Sequence, residues 1–437
     1  MRALRGHPWA FLGEVEFVGE PPVDGDCVEL TDLKGRCLGA GLWNGKSQIA
    51  WRRYSRRPIT LDGPLLEELV TASVNRRAGK SVCRLIWSEA DSLPGLVVDR
   101  YNDLITIQAL TCGMDRRLAT IIDVLQRLLQ PREIVLRNDA STRKLEGLRQ
   151  EIRTVSGKPL EPSWMEVGGV QVLIDLMGGQ KTGTYLDQLD QHQNVAKLAK
   201  GRRVLDAFCN QGGFGLACAK AGATSVLGLD QSEDAIAAAR SAAERNGLSA
   251  SFEVANVFDW FTEHREASFD LIILDPPPFA RSKDAVDGAL RGYKELNLRA
   301  LRLLAPGGIL ATYSCSHRVS EEMYLEVIED AASDARREAV VLERTSQAGG
   351  PPGAAELPRE PISQGLHHRD SGLTPGPLPL SSRHDRLPPR QTHRSRRPAR
   401  RHRVVGRGLR GQCARHDGGA SPEARCGSLP AHPSRLP

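Results

Sequence analysis

The chain lacks the sequence features of a secreted, metal-binding or membrane protein. No run of about 18 apolar residues occurs in the sequence, so it offers no candidate membrane span. The N-terminus has no apolar stretch of the kind that signal peptides contain. The nine cysteines are scattered and form no CxxC pair, which disfavours a zinc site or a disulfide framework. We therefore expect no bound metal, no membrane partner and a reducing, cytoplasmic location.

The last part of the chain lacks aromatic residues and lysine. Residues 351–437 contain no Phe, Trp, Tyr or Lys, but they hold 16 Arg, six acidic residues and 14 of the 27 prolines. The net charge of +6 for the whole chain therefore comes from this segment, and the remainder is slightly acidic. Such a composition cannot bury enough apolar surface to offset the entropy lost on ordering. We expect residues 349–437 to be a disordered, basic Pro/Arg-rich tail.

The composition of this tail also matches an out-of-frame translation of GC-rich DNA. Permissible codons for Pro351–Gly372, read one base later, give His-Pro-Val-Leu-Leu-Asn-Phe-Pro-Glu-Ser-Pro-Tyr-Leu-Lys-Gly-Phe-Ile-Ile-Glu-Thr-Leu. This hidden peptide has the pattern of two apolar strands joined by a turn. Our hypothesis is that a one-base shift replaced the final strands of the last domain. The alternative is a genuine basic tail that binds RNA, and resequencing the 3′ end of the gene distinguishes the two.

The residues before the tail divide into three regions. Residues 1–60 show short alternating runs with Gly and Asp turns, which predict a small β domain. Residues 61–164 mix helical and strand patterns and predict a small α/β domain. In residues 165–348 strands and helices alternate, which predicts an α/β fold with a Rossmann-type, doubly wound, mostly parallel sheet. Its predicted strands are Arg203–Phe208, Ser225–Leu229, Ser251–Val254, Leu271–Leu274, Ile309–Ser314 and Ala339–Leu342.

The strongest motif is the glycine-rich loop after the first of these strands. It contains Asp206, Phe208, Asn210, Gly212 and Gly213, and it opens a helix. Glycines let the backbone approach a ligand closely, and a helix N-terminus offers amides to a carboxylate or phosphate. The spacing is not GxGxxG, which disfavours NAD and favours the loop that wraps the methionine end of S-adenosylmethionine. A plain tight turn is the alternative interpretation.

The second and third strands end in residues that suit the rest of this cofactor. Asp230 ends the second strand, where a carboxylate can bind a ribose diol, and Gln231 follows it. Asn256 and Val257 follow the third strand, where the adenine edge would lie. We expect the side-chain oxygen of Asn256 to accept a hydrogen bond from the adenine amine. Gln188, in the polar segment before the first strand, could line the mouth of the cofactor site, although from spacing alone this segment is only a polar loop.

The fourth and fifth strands end in residues that suit chemistry on a base. Asp275 is followed by prolines, beginning with Pro276, and then by Phe279, which could stack on a base held by Asp275. The alternative is a proline-rich loop that only leads the chain out of the strand. Neighbouring strands lie about 4.8 Å apart, so Cys315 at the end of the fifth strand should face the same crevice. A thiolate there could attack C6 of a pyrimidine and make C5 nucleophilic. His317 is either a general base or a surface loop residue.

The surroundings of the two candidate thiols differ. Ser314, Ser316 and His317 flank Cys315 and could supply polar partners that favour its thiolate. The alternative for Cys315 is an inert, buried thiol. Cys209 is a rival nucleophile, but it lies in the cofactor loop and we interpret it as a packing residue.

Two further segments suit RNA. Arg52, Arg53, Tyr54 and Arg56 interleave basic and aromatic side chains, which can bind phosphates and exposed bases. The alternative is the solvated edge of a strand. Lys181 lies in the same polar loop as the predicted cofactor contact before the first strand, and it could contact substrate.

Together these motifs resemble the bacterial methyltransferases that make 5-methylcytosine in 23S ribosomal RNA and carry an N-terminal PUA domain. The resemblance covers about residues 5–347. It is carried by Gly6–Trp9, Gly25-Asp26, Leu38–Gly41, Ser88–Leu96, Glu146–Leu148, Gly179–Gly183, Asp187-Gln188, Asn210–Gly215, Asp275–Phe279 and Ser314–His317.

The resemblance implies a PUA domain, a central α/β domain and a class I methyltransferase domain that uses S-adenosylmethionine. It also implies 23S ribosomal RNA as substrate, Cys315 as nucleophile and a homodimer. The chain departs from the family pattern in having Leu189 where an Arg is usual, and the fourth-strand motif has no cysteine. The chain begins close to the first matching motif, so we expect the first PUA strand to be missing. Only the hidden peptide matches the closing strands of the family.

Two other hypotheses remain open from the residues. One is methylation of an exocyclic amine or a base nitrogen, using Asp275 without a covalent step. The other is a non-catalytic RNA-binding protein or decayed gene product, which the altered tail favours and the intact cofactor motifs oppose.

Overall fold

The computed structural model describes residues 2–17, 20–179, 182–266, 268–279, 285–316 and 318–345, and the backbone of 364–370 and 412–415. The strands are β1 Trp9–Ala10, β2 Cys27–Thr31, β3 Cys37–Trp43, β4 Trp51–Ser55, β5 Val82–Trp87, β6 Leu96–Tyr101, β7 Leu104–Ala109, β8 Glu133–Asn138, β9 Glu151–Thr154, β10 Ser163–Val167, β11 Val170–Ile174, β12 Arg203–Ala207, β13 Ser225–Asp230, β14 Ser251–Val254, β15 Phe269–Leu274, β16 Leu304–Ser314, β17 Ala339–Thr345, β18 Gln364–Asp370 and β19 Gln412–Arg415. The α-helices are α1 Gly63–Arg76, α2 Cys112–Asp115, α3 Leu118–Leu129, α4 Thr142–Leu145, α5 Leu189–Ala196, α6 Gly213–Lys220, α7 Glu233–Arg245, α8 Val257–Glu263, α9 Val286–Leu303 and α10 Glu321–Ala335.

The N-terminal strands form an antiparallel sheet in the order β1-β4-β3-β2, with β19 paired to β2. Inward residues alternate along β2, where Val28 and Leu30 are buried, and they pack in one cluster with Trp43 and Trp51. The indole N–H of Trp51 donates to the Val28 carbonyl over 2.9 Å. This confirms the small β region predicted at the start of the chain.

The second sheet has the order β5-β6-β7-β8-β9, in which only β7 and β8 are parallel. Helices α1 and α3 contact each other, and buried residues of both lie in one core cluster with residues of β5 to β8. The helix and strand patterns predicted in this region are therefore confirmed. The β10–β11 hairpin follows, and Val170 of β11 packs among residues of α7.

The third sheet has the order β14-β13-β12-β15-β16-β18-β17. Its strands from β14 to β16 are all parallel, whereas β18 is antiparallel to both of its neighbours. Side chains of β12 alternate between two cores, because Val204 packs with Phe214 of α6 and Leu205 packs with Leu296 of α9. Helices cover both faces, so the predicted doubly wound sheet and all six of its predicted strands are confirmed.

Within the basic tail, the structure describes two short strands, β18 and β19. Strand β18 pairs with β16 and β17, and strand β19 pairs with β2. An unpaired sheet edge presents N–H and C=O groups that any extended chain can satisfy, whatever its side chains. The other tail residues lie outside the described part of the chain.

Among the described residues, no helix is long and apolar enough to cross a membrane. This agrees with the absence of a long apolar run in the sequence.

Candidate functional site

The predicted residues that end the strands of the third sheet, among them Asp206, Asp230, Asp275 and Cys315, lie at the carboxyl ends of its parallel strands. After β12 the chain passes through α6 to β13 on one side, and after β14 it returns to β15 on the other side. The crevice between β12 and β15 is therefore the topological switch point, where open α/β sheets bind their ligands.

Asp206, near the end of β12, is fully buried beneath this crevice. Its Oδ2 accepts a hydrogen bond from the Gly215 amide over 2.7 Å. Its Oδ1 is buried and has no hydrogen-bond partner among the described residues. Burial raises the pKa of Asp206 to about 7, and the nearby carboxylates of Asp275 and Asp230 add to this effect. The site therefore holds an unsatisfied acceptor that a ligand donor could pair.

The two glycines of the loop are required by packing. Gly212 has a φ of +80°, which favours glycine, and an added Cβ would lie 2.8 Å from the Phe252 ring. A Cβ on Gly213 would lie 2.4 Å from the ring of His192. His192 is half-buried, and its burial lowers its pKa to about 4, so the ring is neutral. Close packing on these two rings accounts for the glycines without a ligand.

Asp230 at the end of β13 fixes the shape of the loop. Its carboxylate accepts from the backbone N–H groups of Asn210 and Ser232, each over 2.9 Å. A carboxylate has about four acceptor positions, so two remain for the hydroxyl groups of a ribose. Gln231 beside it is exposed. Phe208 has a φ of +65°, and its ring lies edge-on to Phe258 with 6.5 Å between centroids.

The predicted contact of Asn256 with adenine is corrected by the structure. Its Oδ1 accepts from the amides of Phe258 and Asp259, over 2.9 and 3.3 Å, and so caps α8. A capping residue commonly has this role at a helix N-terminus, and both acceptor positions of the oxygen are then used. Val257 is buried and supplies the first amide of α8, which has no acceptor inside the helix. The backbone of Val257 is therefore the better candidate for the adenine edge.

Gln188 and Asp275 meet across the mouth of the crevice. The Nε2 of Gln188 donates to Oδ2 of Asp275 over 3.2 Å, although 87 residues separate them in sequence. The side chain of Gln188 is buried, and its Oε1 has no partner among the described residues. Tyr185, in the same segment, was missed by the sequence reasoning. Burial and the charges of Asp187 and Asp275 raise the pKa of Tyr185, so it also lies near this acidic crevice.

Cys315 lies against the loop that follows Asp275. Strands β15 and β16 are neighbours, and Leu274 pairs with Thr312 in their register. The thiol of Cys315 donates to the carbonyl of Pro276 over 3.5 Å and is partly exposed. The ends of these two strands were predicted to be neighbours, and they are neighbours in the structure. Cys209 is buried in a packing cluster, and burial raises the pKa of its thiol, which agrees with our interpretation.

The serines that flank Cys315 have a partner that the sequence did not reveal. Ser314 donates to the hydroxyl of Tyr293 over 3.1 Å, and the hydroxyls of Tyr293 and Ser316 lie 2.8 Å apart. The amide of Phe279 donates to Ser316 over 3.1 Å. Our prediction was that these serines support the thiolate, and the structure adds that their hydroxyl groups bond to Tyr293. No spacing rule joins Tyr293 of α9 to a strand end, so only the fold shows this contact.

The predicted RNA-binding segment at β4 is mostly structural. Arg52 contacts the carboxylates of Glu89 and Glu146, over 3.3 and 3.5 Å. Arg53 is buried and donates to the Gly6 carbonyl, and Tyr54 is buried with its hydroxyl on the carbonyl of Ile59. The corrections for Arg53 and Tyr54 share a cause, because β4 is an inner strand of its sheet and these two side chains are buried. Arg52 is partly exposed, so its role in RNA binding stays a prediction.

The remaining predicted substrate contacts fall into two groups. Arg56, just beyond β4, is exposed, and so is compatible with a role in RNA binding. Phe279 is half-buried and packs on the ring of Tyr293 at 4.7 Å between centroids. Lys181 and His317 lie outside the described residues. In the described part of the chain, no three His, Cys, Asp or Glu side chains form a group that could hold a metal ion.

The residues of the crevice fit S-adenosylmethionine. Two buried acceptors without partners, on Asp206 and Gln188, suit the ammonium group at the methionine end. The fixed carboxylate of Asp230 suits the ribose diol.

Comparison with known proteins agrees with this arrangement. Residues 132–355 match the family described as S-adenosylmethionine-dependent methyltransferase, and residues 1–56 match the PUA-like domain. The chain is 41% identical over 378 residues to Ribosomal RNA large subunit methyltransferase I of Aeromonas hydrophila, a match that covers 83% of this chain and 95% of that relative. It is 37% identical over 376 residues to the protein of the same name from Shewanella frigidimarina, with the same coverage of both chains.

Solved structures show the same fold. The methyltransferase SMU.776, solved in complex with SAH, superposes with a TM-score of 0.71 at 19% identity, covering 84% of this chain and 97% of that one. A SAM-dependent methyltransferase from Streptococcus mutans gives a TM-score of 0.68 at 18% identity, covering 80% and 93%. The family match over residues 132–355 and the curated relatives show that the chain belongs to the S-adenosylmethionine-dependent methyltransferase family that carries an N-terminal PUA-like domain, and that its cofactor is S-adenosylmethionine.

Proposed function

We propose that this protein methylates C5 of a cytosine in the RNA of the large ribosomal subunit, with Cys315 as a covalent nucleophile. The proposal is carried by one observation, the position of Cys315 against the Pro276 carbonyl, next to Asp275. The names of the curated relatives support ribosomal RNA of the large subunit as the substrate. Because such a substrate resides with ribosomes, we propose a cytoplasmic location.

In this proposal each residue of the crevice binds a different part of the cofactor. Asp206 and Gln188 hold the methionine end of the cofactor, Asp230 holds the ribose, and the amide of Val257 meets the adenine edge. The bound cofactor supplies an electrophilic methyl group on its sulfonium. The target base leaves its stack to enter the crevice, because its ring atoms are otherwise out of reach of the strand ends.

The base is then held and activated by the β15 and β16 ends. Asp275 accepts a hydrogen bond from the cytosine amine, and Phe279 supplies a face for stacking. The thiolate of Cys315 adds to C6 and forms a C–S bond, and the electron pair that this releases makes C5 the nucleophile for the methyl group. The C5 proton then passes to a base at the crevice, the C–S bond breaks, and the thiolate is restored.

Trapping on fluorinated RNA tests the covalent step. A fluorine at C5 cannot leave as a proton does, so the C–S bond persists. We expect the protein, with S-adenosylmethionine and a 23S ribosomal RNA transcript containing 5-fluorocytosine, to form an adduct that survives denaturing electrophoresis. Cys315→Ala should form none, and its methyl transfer to unmodified RNA should fall by about 100-fold or more.

Cys83→Ala is the matched control, because Cys83 is also a cysteine but is buried in β5 of the second sheet, away from the crevice. It should retain both the adduct and methyl transfer. Full methyl transfer by Cys315→Ala, with no adduct in the wild type, would instead support methylation of a base nitrogen through Asp275.

The homodimer that the sequence resemblance implies remains a prediction, which sedimentation equilibrium tests.

A further inference from the structure

The hydroxyl group of Tyr293 joins the two loops that form the floor of the base crevice. One loop follows β15 and contains Pro276 and Phe279, and the other follows β16 and contains Cys315. Ser314 donates to the Tyr293 oxygen over 3.1 Å. The hydroxyl groups of Tyr293 and Ser316 lie 2.8 Å apart. The tyrosine therefore bonds to the residues immediately before and after the cysteine.

The same bonding pattern extends to the β15 loop. The hydroxyl of Ser316 also accepts the amide of Phe279 over 3.1 Å, and the Phe279 ring packs on the Tyr293 ring. A second contact closes the turn around the cysteine, since the amide of Ser316 donates to the Ser314 hydroxyl over 3.4 Å. The path from one loop to the other thus runs through Tyr293 and Ser316.

The network is buried, which makes it stiff. Tyr293 is fully buried, and Ser314 and Ser316 are nearly so, whereas Cys315 between them is partly exposed. Burial raises the pKa of Tyr293, so its hydroxyl stays protonated and able to donate. Loss of one member would leave buried hydroxyl groups without partners, and such groups are costly.

The helix that carries Tyr293 is itself fixed at this level. Asn297, one turn further along α9, donates from Nδ2 to the Tyr293 carbonyl over 2.8 Å. The Tyr293 ring also meets the Tyr324 ring edge-on, with 5.1 Å between centroids. These contacts set the height of the hydroxyl relative to the strand ends.

We propose that Tyr293 is a positioning residue for methyl transfer: its hydroxyl group clamps the Cys315 loop against the Pro276–Phe279 loop, so that the thiol and the base platform keep a fixed separation. This inference rests on the proposed function of Cys315. It adds a residue that touches neither base nor cofactor and acts through the two serines.

The test compares two tyrosines that differ in what their hydroxyl groups hold. Tyr293→Phe keeps the ring and removes only the clamp. Tyr324→Phe is the matched control, because Tyr324 is equally buried but its hydroxyl bonds to Thr312 and to the Tyr313 carbonyl. Both variants lose one buried hydroxyl, so their losses of thermal stability should be similar.

Methyl transfer from labelled S-adenosylmethionine to unmodified 23S ribosomal RNA is the main measurement. We expect kcat to fall by about 10-fold in Tyr293→Phe, with the KM for RNA and the Kd for S-adenosylmethionine unchanged, because misplaced reacting groups slow the reaction step. Tyr324→Phe should keep its kcat within about twofold of wild type. Equal losses of kcat in both variants, or no loss in either, would overturn the proposal.

A second variant and a second measurement keep the test decisive. Ser316→Ala removes the other end of the same bond, and it should reproduce the kcat loss if Tyr293→Phe fails to fold. Peptide-resolved alkylation of Cys315 by iodoacetamide reports the freedom of the thiol without any activity, and it should be about threefold faster in Tyr293→Phe but not in Tyr324→Phe. Unchanged alkylation in both would count against the clamp.

The failure of the proposed function gives a different pattern. If the wild type transfers methyl groups to RNA but forms no adduct with 5-fluorocytosine, the covalent step is wrong, while the comparison of the two tyrosines still tests the clamp. If the wild type transfers no methyl group, the alkylation rates decide the clamp alone.

Discussion

At the scale of single residues, burial and charge explain why Asp206 is unusual. It lies at the base of the crevice with one oxygen held by Gly215 and the other without a partner among the described residues. Desolvation disfavours its charged form, and nearby carboxylates disfavour it further. The charged form of such a residue favours a cationic ligand group. Without that ligand, the charged form destabilises the folded protein at high pH.

This state predicts a pH dependence of stability. The pKa of Asp206 is raised in the folded chain to about 7, from an ordinary value of 3.8. The neutral carboxyl therefore favours folding most below about pH 4, and this contribution is lost as the pH rises through about 7. Asp206→Asn should gain stability relative to wild type between pH 5 and pH 8, as measured by urea unfolding without cofactor.

Asp270→Asn provides a control of opposite sign. The ion pair with Arg203 lowers the pKa of Asp270, so its charged form favours folding above its ordinary pKa and that contribution is lost on acidification. Relative to wild type, this variant should therefore lose stability as the pH rises from acid to about 4, and it should show a constant deficit from pH 5 to pH 8. If the free energies of unfolding of wild type and Asp206→Asn change in parallel from pH 5 to pH 8, the raised pKa assigned to Asp206 is contradicted.

At the scale of elements, the contact between α5 and α6 fixes the cofactor loop. Gly213 begins α6 directly against the His192 ring of α5, and the same ring lies edge-on to Phe214 with 4.4 Å between centroids. The absence of a Cβ at this position lets the two helices approach. The shape of the loop thus depends on a helix that the sequence motif does not include.

Gly213→Ala should consequently separate the two helices. Its Cβ would meet ring atoms of His192 at 2.4 to 3.1 Å, so we expect a loss of about 1–3 kcal/mol in the free energy of unfolding and weaker binding of S-adenosylmethionine by calorimetry. Gly63→Ala is the control, because its site is open. In a His192→Ala background the cost of Gly213→Ala should shrink, and an undiminished cost there would rule out the clash as its cause.

The sequence predicted elements more reliably than contacts. The alternation of strand and helix patterns placed all six predicted strands of the third sheet, because burial on both faces leaves long apolar runs. The pairing of the β15 and β16 ends also followed from the usual strand order. By contrast, Tyr293 and His192 were missed, and Asn256 and Tyr54 were misassigned, because their partners lie on separate elements or backbone groups that no spacing rule reveals.

At the scale of the whole molecule, the end of the third sheet is where the chain departs most from the pattern of its fold. Residues Val340, Val341 and Leu342 of the edge strand β17 are 53, 37 and 46% exposed, which is unusual for consecutive large apolar side chains. The family match ends at residue 355, within the first residues of the basic tail. Both observations support the hypothesis of a shifted reading frame.

The position of β18 adds a third line of support. Its residues 364–370 are read in the hidden frame as Lys-Gly-Phe-Ile-Ile-Glu-Thr, an apolar strand pattern. That strand would occupy the same place, antiparallel between β16 and β17. A central position in a sheet favours β-branched and aromatic side chains, which the hidden frame supplies. The in-frame and the hidden sequences would both occupy the strand position between β16 and β17, and the hidden sequence suits that position better.

Restoring the frame should therefore stabilise the catalytic sheet. A gene corrected by one base near codon 350 should give a protein with a melting temperature about 5 °C or more above that of the chain described here, and with less binding of a dye that detects exposed apolar surface. A chain that stops at Gln347 is the control, since it removes the tail without supplying the hidden strands. It should melt no higher than the full chain. If the corrected protein and the truncated chain melt at the same temperature, or genomic resequencing finds the present frame intact, the tail is a genuine part of the protein.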